Sequence, residues 1–245
     1  MRIDIISLFP EISSAVLDAS IIGRAQRKSL VEIKHIDLRD YSDDARGTVD
    51  DVPFGGGAGM LLKTDVIFKC LEDVRTPDSY TVLLCPQGRR FSQRTAEELS
   101  EKSHLIFFCG HYEGIDERAR QTLFDDEISL GDFVLTNGVI AAAVMADAVI
   151  RLIPGVLGDD LSSQDESYNG DVPLLEYPHY TRPSQFEGMD VPDTLLSGNH
   201  GIIQNWRREQ RLIRTAARRP DILRQYLKAG ENDGKERKHT ENVSH

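Results

Sequence analysis

Three glycine-bearing turns, each beside an apolar run, most strongly restrict the folds that this 245-residue chain can adopt. The turns lie at Cys85–Arg89, Cys109–Gly114 and Leu130–Leu135. Glycine lets backbone N–H and C=O groups approach a ligand closely, and open α/β sheets bind their ligands at the carboxyl ends of parallel strands. The three turns therefore predict a parallel sheet with one small-molecule pocket at its carboxyl edge.

Apolar runs at Ile3–Leu8, Tyr80–Cys85 and His104–Cys109 are typical of buried strands. Between the last two, Ser92 is a suitable N-cap for a helix of good helix formers that continues to Leu99. A strand, a helix and a strand in succession indicate a βαβ unit and hence a parallel sheet. The run Val139–Leu152 is rich in small residues and apolar on nearly every face. It predicts a helix buried in the core or at a subunit contact.

Charge is distributed unevenly along the chain. The net charge of -11 argues against a surface coated in basic residues for general nucleic-acid binding. Residues 205–228, however, include eight basic and only two acidic side chains. Arginines spaced three or four apart form one stripe on a helix: Arg207, Arg211, Arg214 and Arg218. Such a stripe can follow a phosphate backbone, and an ordinary solvated helix face is the alternative.

Several other classes of protein are disfavoured. The three cysteines form no C-x-x-C pair, so we interpret them as reduced, mostly buried thiols of a cytoplasmic protein and expect no metal site. The longest uncharged apolar run, Val139–Ala146, is far shorter than the roughly 20 residues that span a bilayer. The loop Gly55–Met60 lacks the glycine spacing of dinucleotide and P-loop motifs. It is either a closely packed loop or one whose bare backbone lets a base or cofactor approach.

The chain divides by composition into four parts. A polar stretch without periodicity, 158–170, is predicted to link a domain at 1–157 to a smaller domain at 171–228. The last residues, 229–245, are polar and poor in hydrophobic side chains, so we expect a disordered tail.

A series of short blocks follows in order from residue 7 to about residue 219: Ser7–Pro10, Thr48–Asp51, Pro53–Met60, Pro86–Arg89, Gly110–Arg118, Gly131–Leu135, Arg151–Gly158, His179–Pro183 and Leu195–His200. Several are weak alone, but the combination is specific. Together they resemble the bacterial tRNA (guanine-N1)-methyltransferase family, TrmD. The resemblance implies a SPOUT-type α/β sheet with a deep C-terminal trefoil knot, followed by a small all-helical C-terminal domain. It also implies a homodimer whose active site is shared between subunits.

The resemblance further implies that domain 1–157 binds the methyl donor S-adenosylmethionine and that domain 171–228 binds the tRNA anticodon stem-loop. The residues expected to line the donor pocket are Leu84, Cys85, Pro86, Gln87, Gly88, Gly110, Glu113, Leu130, Gly131, Asp132, Phe133, Val134, Leu135, Asn137 and Gly138. The residues expected to contact tRNA are Asp50, Gly59, Met60, His179, Arg182, Arg207, Arg208, Arg211 and Arg214. Whether a divalent ion is required is left open.

Enzymes of this family methylate N1 of guanosine 37, immediately 3′ of the anticodon. That nitrogen carries a proton, so a general base must remove it during attack on the donor methyl group. Negative charge then moves onto O6, where a fixed cation lowers the barrier. Arg151 matches the family arginine suited to this role. A linker carboxylate is the expected base: Glu166 by its spacing, or Asp165 if the linker shifts by one residue.

Two alternatives remain open at this stage. A SPOUT methyltransferase acting on another RNA would not need a base matched to a ring nitrogen at Glu166. A non-catalytic RNA-binding protein would have lost donor binding, although the three pocket turns are intact in the sequence. A nicotinamide-linked oxidoreductase is remote because the glycine fingerprint is missing.

Overall fold

The computed structural model describes residues 1–158, 166–168 and 174–228. The described residues form two compact units, one within Met1–Gly158 and one within Asp159–His245. Most of the predicted linker at 158–170 and the whole predicted tail at 229–245 lie outside the described residues.

The first unit alternates strands and helices. Its elements in chain order are β1 (Arg2–Ser7), α1 (Pro10–Leu17), α2 (Ser20–Arg27), β2 (Glu32–Asp37), a 3-10 turn (Leu38–Tyr41), β3 (Asp50–Asp51), β4 (Leu61–Leu62), α3 (Thr64–Val74), β5 (Ser79–Arg90), α4 (Gln93–Ser100), β6 (His104–Cys109), α5 (Glu117–Leu123), β7 (Asp126–Ser129) and α6 (Val139–Ile150).

Five strands form one sheet in the order β2-β1-β6-β5-β7, and every neighbouring pair is parallel. The predicted parallel α/β architecture is confirmed. Side chains alternate between the two faces of each strand, so Leu105 and Phe107 of β6 belong to one core cluster while Ile106 and Phe108 belong to the other. Both faces of the sheet are therefore buried, which explains why its central strands are continuous apolar runs.

Helix α6 is buried as the sequence predicts. Its alanine-rich surface lies in the same core cluster as Ile3 and Ile5 of β1. Two apolar side chains one turn apart, Ile140 and Val144, are nevertheless each 46% exposed. The predicted helix after β5 is also present, and Ser92 caps it by accepting a hydrogen bond from Thr95 N at 3.3 Å.

Strand β5 departs from the sequence prediction. The segment after Leu84 is not a turn that ends the strand but a bulge within it. Leu84 and Arg89 both pair with Ile128 of β7, so the residues between them have no partner in register. The physical reason is Gly88: a Cβ there would lie 2.4 Å from backbone atoms of Glu127 and Ile128. Only glycine lets the two strands approach this closely.

The second unit contains both helices and a hairpin. Its elements are β8 (Gln185–Phe186), β9 (Met189–Asp190), α7 (Asp193–Leu196) and α8 (His200–Arg218), with further helical residues at 220–228. Strands β8 and β9 pair antiparallel, so the expectation of an all-helical domain is wrong in this detail. The glycine turn between the strands, Gly188 with φ +76°, permits the hairpin. None of the helices in the described ranges is long and apolar enough to cross a membrane.

We expect Gly88→Ala to lower the free energy of unfolding by about 1–3 kcal/mol, because the added methyl group overlaps the β7 backbone. Denaturant unfolding of purified variants measures this change. Gly158→Ala is the matched control, since an added Cβ at Gly158 meets no atom within 4 Å and should change the free energy of unfolding by less than about 0.5 kcal/mol. Equal stability of the two variants would contradict the packing argument.

Candidate functional site

A cleft of about 240 Å³ lies at the carboxyl edge of the parallel sheet. It is lined by residues from the bulged part of β5, from the ends of β6 and β7 with the segments that follow them, and from the start of α6. Open α/β sheets bind ligands at this edge. The cleft is therefore where the sequence predicts a small-molecule pocket.

The structure brings the three glycine-bearing segments together around this cleft. The sequence-predicted pocket residues that line it are Leu84, Cys85, Pro86, Gly110, Glu113, Leu130, Phe133, Val134, Leu135, Asn137 and Gly138. Backbone contact joins two of the segments, because Gly138 N donates a hydrogen bond to Gly110 O at 3.0 Å. An added Cβ at Gly138 would lie 2.9 Å from Cys109 Cα, so this junction requires glycine.

Four residues expected in the pocket are not part of its lining. Gln87 accepts a hydrogen bond from Arg120 Nη1 at 2.6 Å, and Gly88 packs on the β7 backbone. Asp132 is exposed and forms an ion pair with Arg90 at 2.6 Å. Gly131 accepts a hydrogen bond from Ser129 Oγ through its carbonyl. Each of the four is close to lining residues in sequence, but the bulge in β5 and the tight turn after β7 direct it elsewhere.

Sequence reasoning missed part of the lining: His111, Tyr112, Gly114, Ile128, Ser129, Thr136 and Ala141. Most of them are immediate neighbours of predicted residues, so proximity in the chain was an available signal. Ile128 had no such signal, because β7 is only four residues long and its sequence does not predict a strand.

The glycine-rich loop packs against the second cleft segment. Met60 O accepts a hydrogen bond from Glu113 N at 3.1 Å, and an added Cβ at Gly59 would lie 2.3 Å from Glu113 Cγ. At Gly59 the loop is therefore closely packed, as one of the two interpretations expected. Cβ atoms added at Gly55, Gly56 and Gly57 would meet nothing within 4 Å, so the tip of the loop is open.

His111 occupies a distinctive place on the cleft wall. Its ring lies 5.4 Å from the Phe9 ring and 4.5 Å from the Tyr112 ring. Burial lowers the pKa of His111 below its usual value of 6.5, the positive charge of Arg39 lowers it further, and the negative charge of Asp50 partly opposes both effects. His111 is therefore a neutral ring at neutral pH, placed between aromatic neighbours.

The cleft rim is apolar and exposed. Phe133 is 54% and Val134 is 80% exposed, although both line the cleft. Exposed apolar side chains at the mouth of a cleft are typical of ligand and partner sites.

The two predicted catalytic groups fall in different units. Arg151 is the half-buried C-cap residue of α6 in the first unit and is not among the residues that line the cleft. Glu166 belongs to the second unit, whereas Asp165 lies outside the described residues.

Some arginines of α8 contact other residues of the second unit and are not fully exposed to solvent. Arg207 lies over the Tyr177 ring at 4.6 Å, and Arg211 Nε donates to Leu175 O at 3.4 Å. Arg207, Arg211 and Arg214 are half-buried, while Arg208 is exposed. The predicted stripe thus partly holds the segment 174–179 against the helix.

A second cavity of about 430 Å³ lies within the second unit. Its lining includes Arg214, Arg218, Ser167 and His179. His179 Nε2 lies 2.7 Å from Glu176 Oε1, and Arg182 is exposed. Across the described part of the chain, no three His, Cys, Asp or Glu side chains cluster so that they could hold a metal ion.

The parallel sheet, its strand-end cleft and the arginine-rich helix α8 define an α/β protein with a pocket suited to a small molecule and a basic helix suited to an anionic polymer. A family model described as tRNA (Guanine-1)-methyltransferase TrmD matches residues 1–225. The chain belongs to this family, and the resemblance noted from its sequence blocks is confirmed.

Known relatives agree with this assignment. The chain is 53% identical to a protein of Carboxydothermus hydrogenoformans over 91% of its own length and 88% of the relative's. It is 54% identical to a protein of Geobacillus kaustophilus over 92% and 93% of the two chains. It is 49% identical to a protein of Bacillus subtilis, again over 92% and 93%. Each relative is named tRNA (guanine-N(1)-)-methyltransferase.

His111 should make stability depend on pH. Because its pKa is lowered in the folded chain, the unfolded chain binds a proton first as the pH falls below 6.5. The contribution of neutral His111 is therefore present above pH 6.5 and is lost as the pH falls through the folded-state pKa. We expect the stability difference between wild type and His111→Gln to shift against wild type between pH 7.5 and 5.5 in denaturant unfolding. A pH-independent difference would contradict this assignment.

Proposed function

We propose that this chain transfers a methyl group from S-adenosylmethionine to N1 of guanosine 37 in tRNA. The observation that carries the proposal is the strand-end cleft, built from three glycine-bearing segments in a member of the TrmD family. Its position at the carboxyl edge of a parallel sheet suits a nucleoside-containing ligand.

The cleft residues suit the methyl donor. Apolar side chains such as Leu84, Leu130 and Leu135 offer surfaces for an adenine ring, and the backbone at Gly110 and Gly138 is bare enough for close approach. The Glu113 carboxylate offers a negative charge to a cationic ligand. When bound, S-adenosylmethionine supplies an electrophilic methyl group on a positively charged sulfur. The protein residues orient it and exclude water around the reacting atoms.

The acceptor requires two further groups from the protein. Glu166 is proposed as the general base that removes the N1 proton of guanine. The Arg151 guanidinium is proposed to stabilise the negative charge that moves onto O6. Asp165 remains the alternative base. Glu166 is favoured by its spacing from the Arg151–Gly158 block. The two residues that follow it are also held by hydrogen bonds, from Glu176 N to Ser167 Oγ and from Tyr168 N to Leu174 O.

The second unit is proposed to bind the anticodon stem-loop through α8. Exposed Arg208 is available to phosphate, whereas Arg207 and Arg211 combine a positive charge with packing against 174–179, and Arg214 is half-buried. Weaker tRNA binding in Arg208→Ala, with a slope of log K against log salt that is shallower by about one, would support this role, and an unchanged slope would contradict it. Asp50, Gly59 and Met60 are proposed to contact the target base, which must leave its stack. Gly59 and Met60 pack beside the Glu113 segment of the cleft.

The remaining features implied by family membership are proposals as well. We infer a homodimer with a shared active site, and exposed apolar residues such as Ile140, Val144 and Val134 support a subunit contact in the first unit. A monomer in analytical ultracentrifugation would contradict it. The trefoil knot and a cytoplasmic location, where tRNA is found, belong to the same proposal.

Methyl transfer to two unmodified tRNA transcripts tests the function directly. The transcripts differ only in guanosine or adenosine at position 37, and labelled S-adenosylmethionine is the donor. We expect 1-methylguanosine to form on the guanosine transcript alone, as identified by nucleoside digestion and chromatography. Donor binding without transfer to either transcript would point to another RNA. Absence of donor binding would contradict the proposed role of the cleft.

Single substitutions distinguish the two candidate bases. We expect Glu166→Gln to slow single-turnover methyl transfer by at least about 100-fold, because it removes the proton acceptor but keeps the size of the side chain. Asp165→Asn is the matched control and should stay within about threefold of wild type. Full activity of Glu166→Gln together with inactivity of Asp165→Asn would reverse the assignment.

A further inference from the structure

An unusual backbone conformation lies two residues after the proposed base. Tyr168 has φ +70°, in the left-handed region that side-chain-bearing residues rarely adopt. Such a conformation persists only where surrounding contacts fix it, and it is often found at functional sites. The contacts of Tyr168 therefore indicate what this conformation does.

The backbone around Tyr168 is tied to a neighbouring segment of the same unit. Tyr168 N donates a hydrogen bond to Leu174 O at 3.1 Å, and Ser167 Oγ accepts one from Glu176 N at 3.0 Å. That segment is in turn tied to helix α8, because Leu175 N donates to Thr215 Oγ1 at 2.9 Å and Thr215 is fully buried. The two residues after Glu166 are thus connected to the rigid helix.

The Tyr168 side chain has a second anchor at the end of α8. Arg219, the C-cap residue of α8, donates from Nη1 to Tyr168 Oη at 3.3 Å, and its guanidinium carbon lies 5.8 Å from the centre of the Tyr168 ring. Asp221 holds the guanidinium through two hydrogen bonds, from Nε at 3.0 Å and from Nη2 at 2.7 Å. This pairing lowers the pKa of Asp221 to about 2, so both groups are charged at neutral pH. A planar guanidinium fixed on two edges orients a ring in a way that a lysine cannot.

We propose that Tyr168, Arg219 and Asp221 position Glu166 for proton removal. The inference rests on the proposed function, in which Glu166 is the base. A base must lie within about 2.6–3.2 Å of the atom whose proton it takes, and an error of about 1 Å can slow a reaction about 100-fold. Holding Ser167 and Tyr168 in one conformation fixes the backbone from which Glu166 extends. These three are positioning residues and do not touch the substrate.

Single-turnover methyl transfer at saturating donor and tRNA tests the proposal, with tRNA affinity measured separately. We expect Arg219→Ala and Tyr168→Ala to slow transfer by about 10- to 100-fold while the tRNA dissociation constant changes by less than about twofold. Tyr168→Phe keeps the ring beside Arg219 and should stay within about threefold of wild type.

Arg224→Ala is the matched control. It removes the same charge from an exposed position in the same region, where Arg224 Nε bonds only to Pro220 O among the described contacts. We expect its transfer rate and tRNA affinity to match wild type. Wild-type rates in Arg219→Ala, or weaker tRNA binding at an unchanged rate, would overturn the positioning role.

A double-variant cycle separates this proposal from the proposed base. Arg219 acting through Glu166 predicts that Glu166→Gln with Arg219→Ala is no slower than Glu166→Gln alone. Slowing by the same factor in both backgrounds would overturn the inference. Full activity of Glu166→Gln by itself would instead refute the base, and the positioning role with it. If Arg219→Ala lowers the melting midpoint, two milder variants replace it in the measurement of the transfer rate. Asp221→Asn keeps the arginine but removes its carboxylate partner, and Arg219→Lys keeps the positive charge but removes the planar guanidinium.

Discussion

Close backbone contact at the carboxyl edge of the parallel sheet is the constraint on which the candidate site depends. Gly138 fits against Cys109 and donates to Gly110, while Gly88 lets the bulged strand β5 pass against β7. Each junction would be blocked by a single methyl group. Because these contacts are between backbones, the bulge of β5 and the segments after β6 and β7 meet at one cleft, and the side chains beside the glycines form its walls.

The second unit contains a basic helix, α8, although the chain as a whole has a net charge of -11. Two arginines of this helix also make contacts within the unit: Arg207 lies over the Tyr177 ring, and Arg211 donates a hydrogen bond to Leu175 O. An arginine held by packing loses less side-chain freedom when it meets a phosphate. The same helix ends at Arg219, which contacts the segment carrying the proposed base. In the proposed function, helix α8 therefore supports both tRNA binding and the positioning of the general base.

Sequence reasoning succeeded where a local pattern reflects a physical requirement. The apolar runs of β1 and β6, the Ser92 cap and the buried helix α6 follow from burial on both faces and from hydrogen bonding at a helix end. It failed at β2 and β7. Strand β2 is a partly exposed edge strand, and β7 is a four-residue strand defined by its pairing with β5. Neither has a sufficient signal of its own, because pairing partners distant in sequence decide whether such segments become strands.

The sequence by itself determined the parallel α/β class and a pocket at three glycine-bearing segments, because glycine positions and apolar runs are properties of short segments. The resemblance of its sequence blocks supplied the family and most of the residues around the cleft. Only the tertiary structure decided that the segment after Leu84 is a bulge, that Gln87, Gly88, Gly131 and Asp132 do not line the cleft, and that Ile128 and Ser129 contribute to it. It alone placed Tyr168 beside Arg219, 51 residues further along the chain. The physical reason is that strand register, close packing and contacts between distant residues depend on how the whole chain is arranged, and no short stretch of sequence specifies that arrangement.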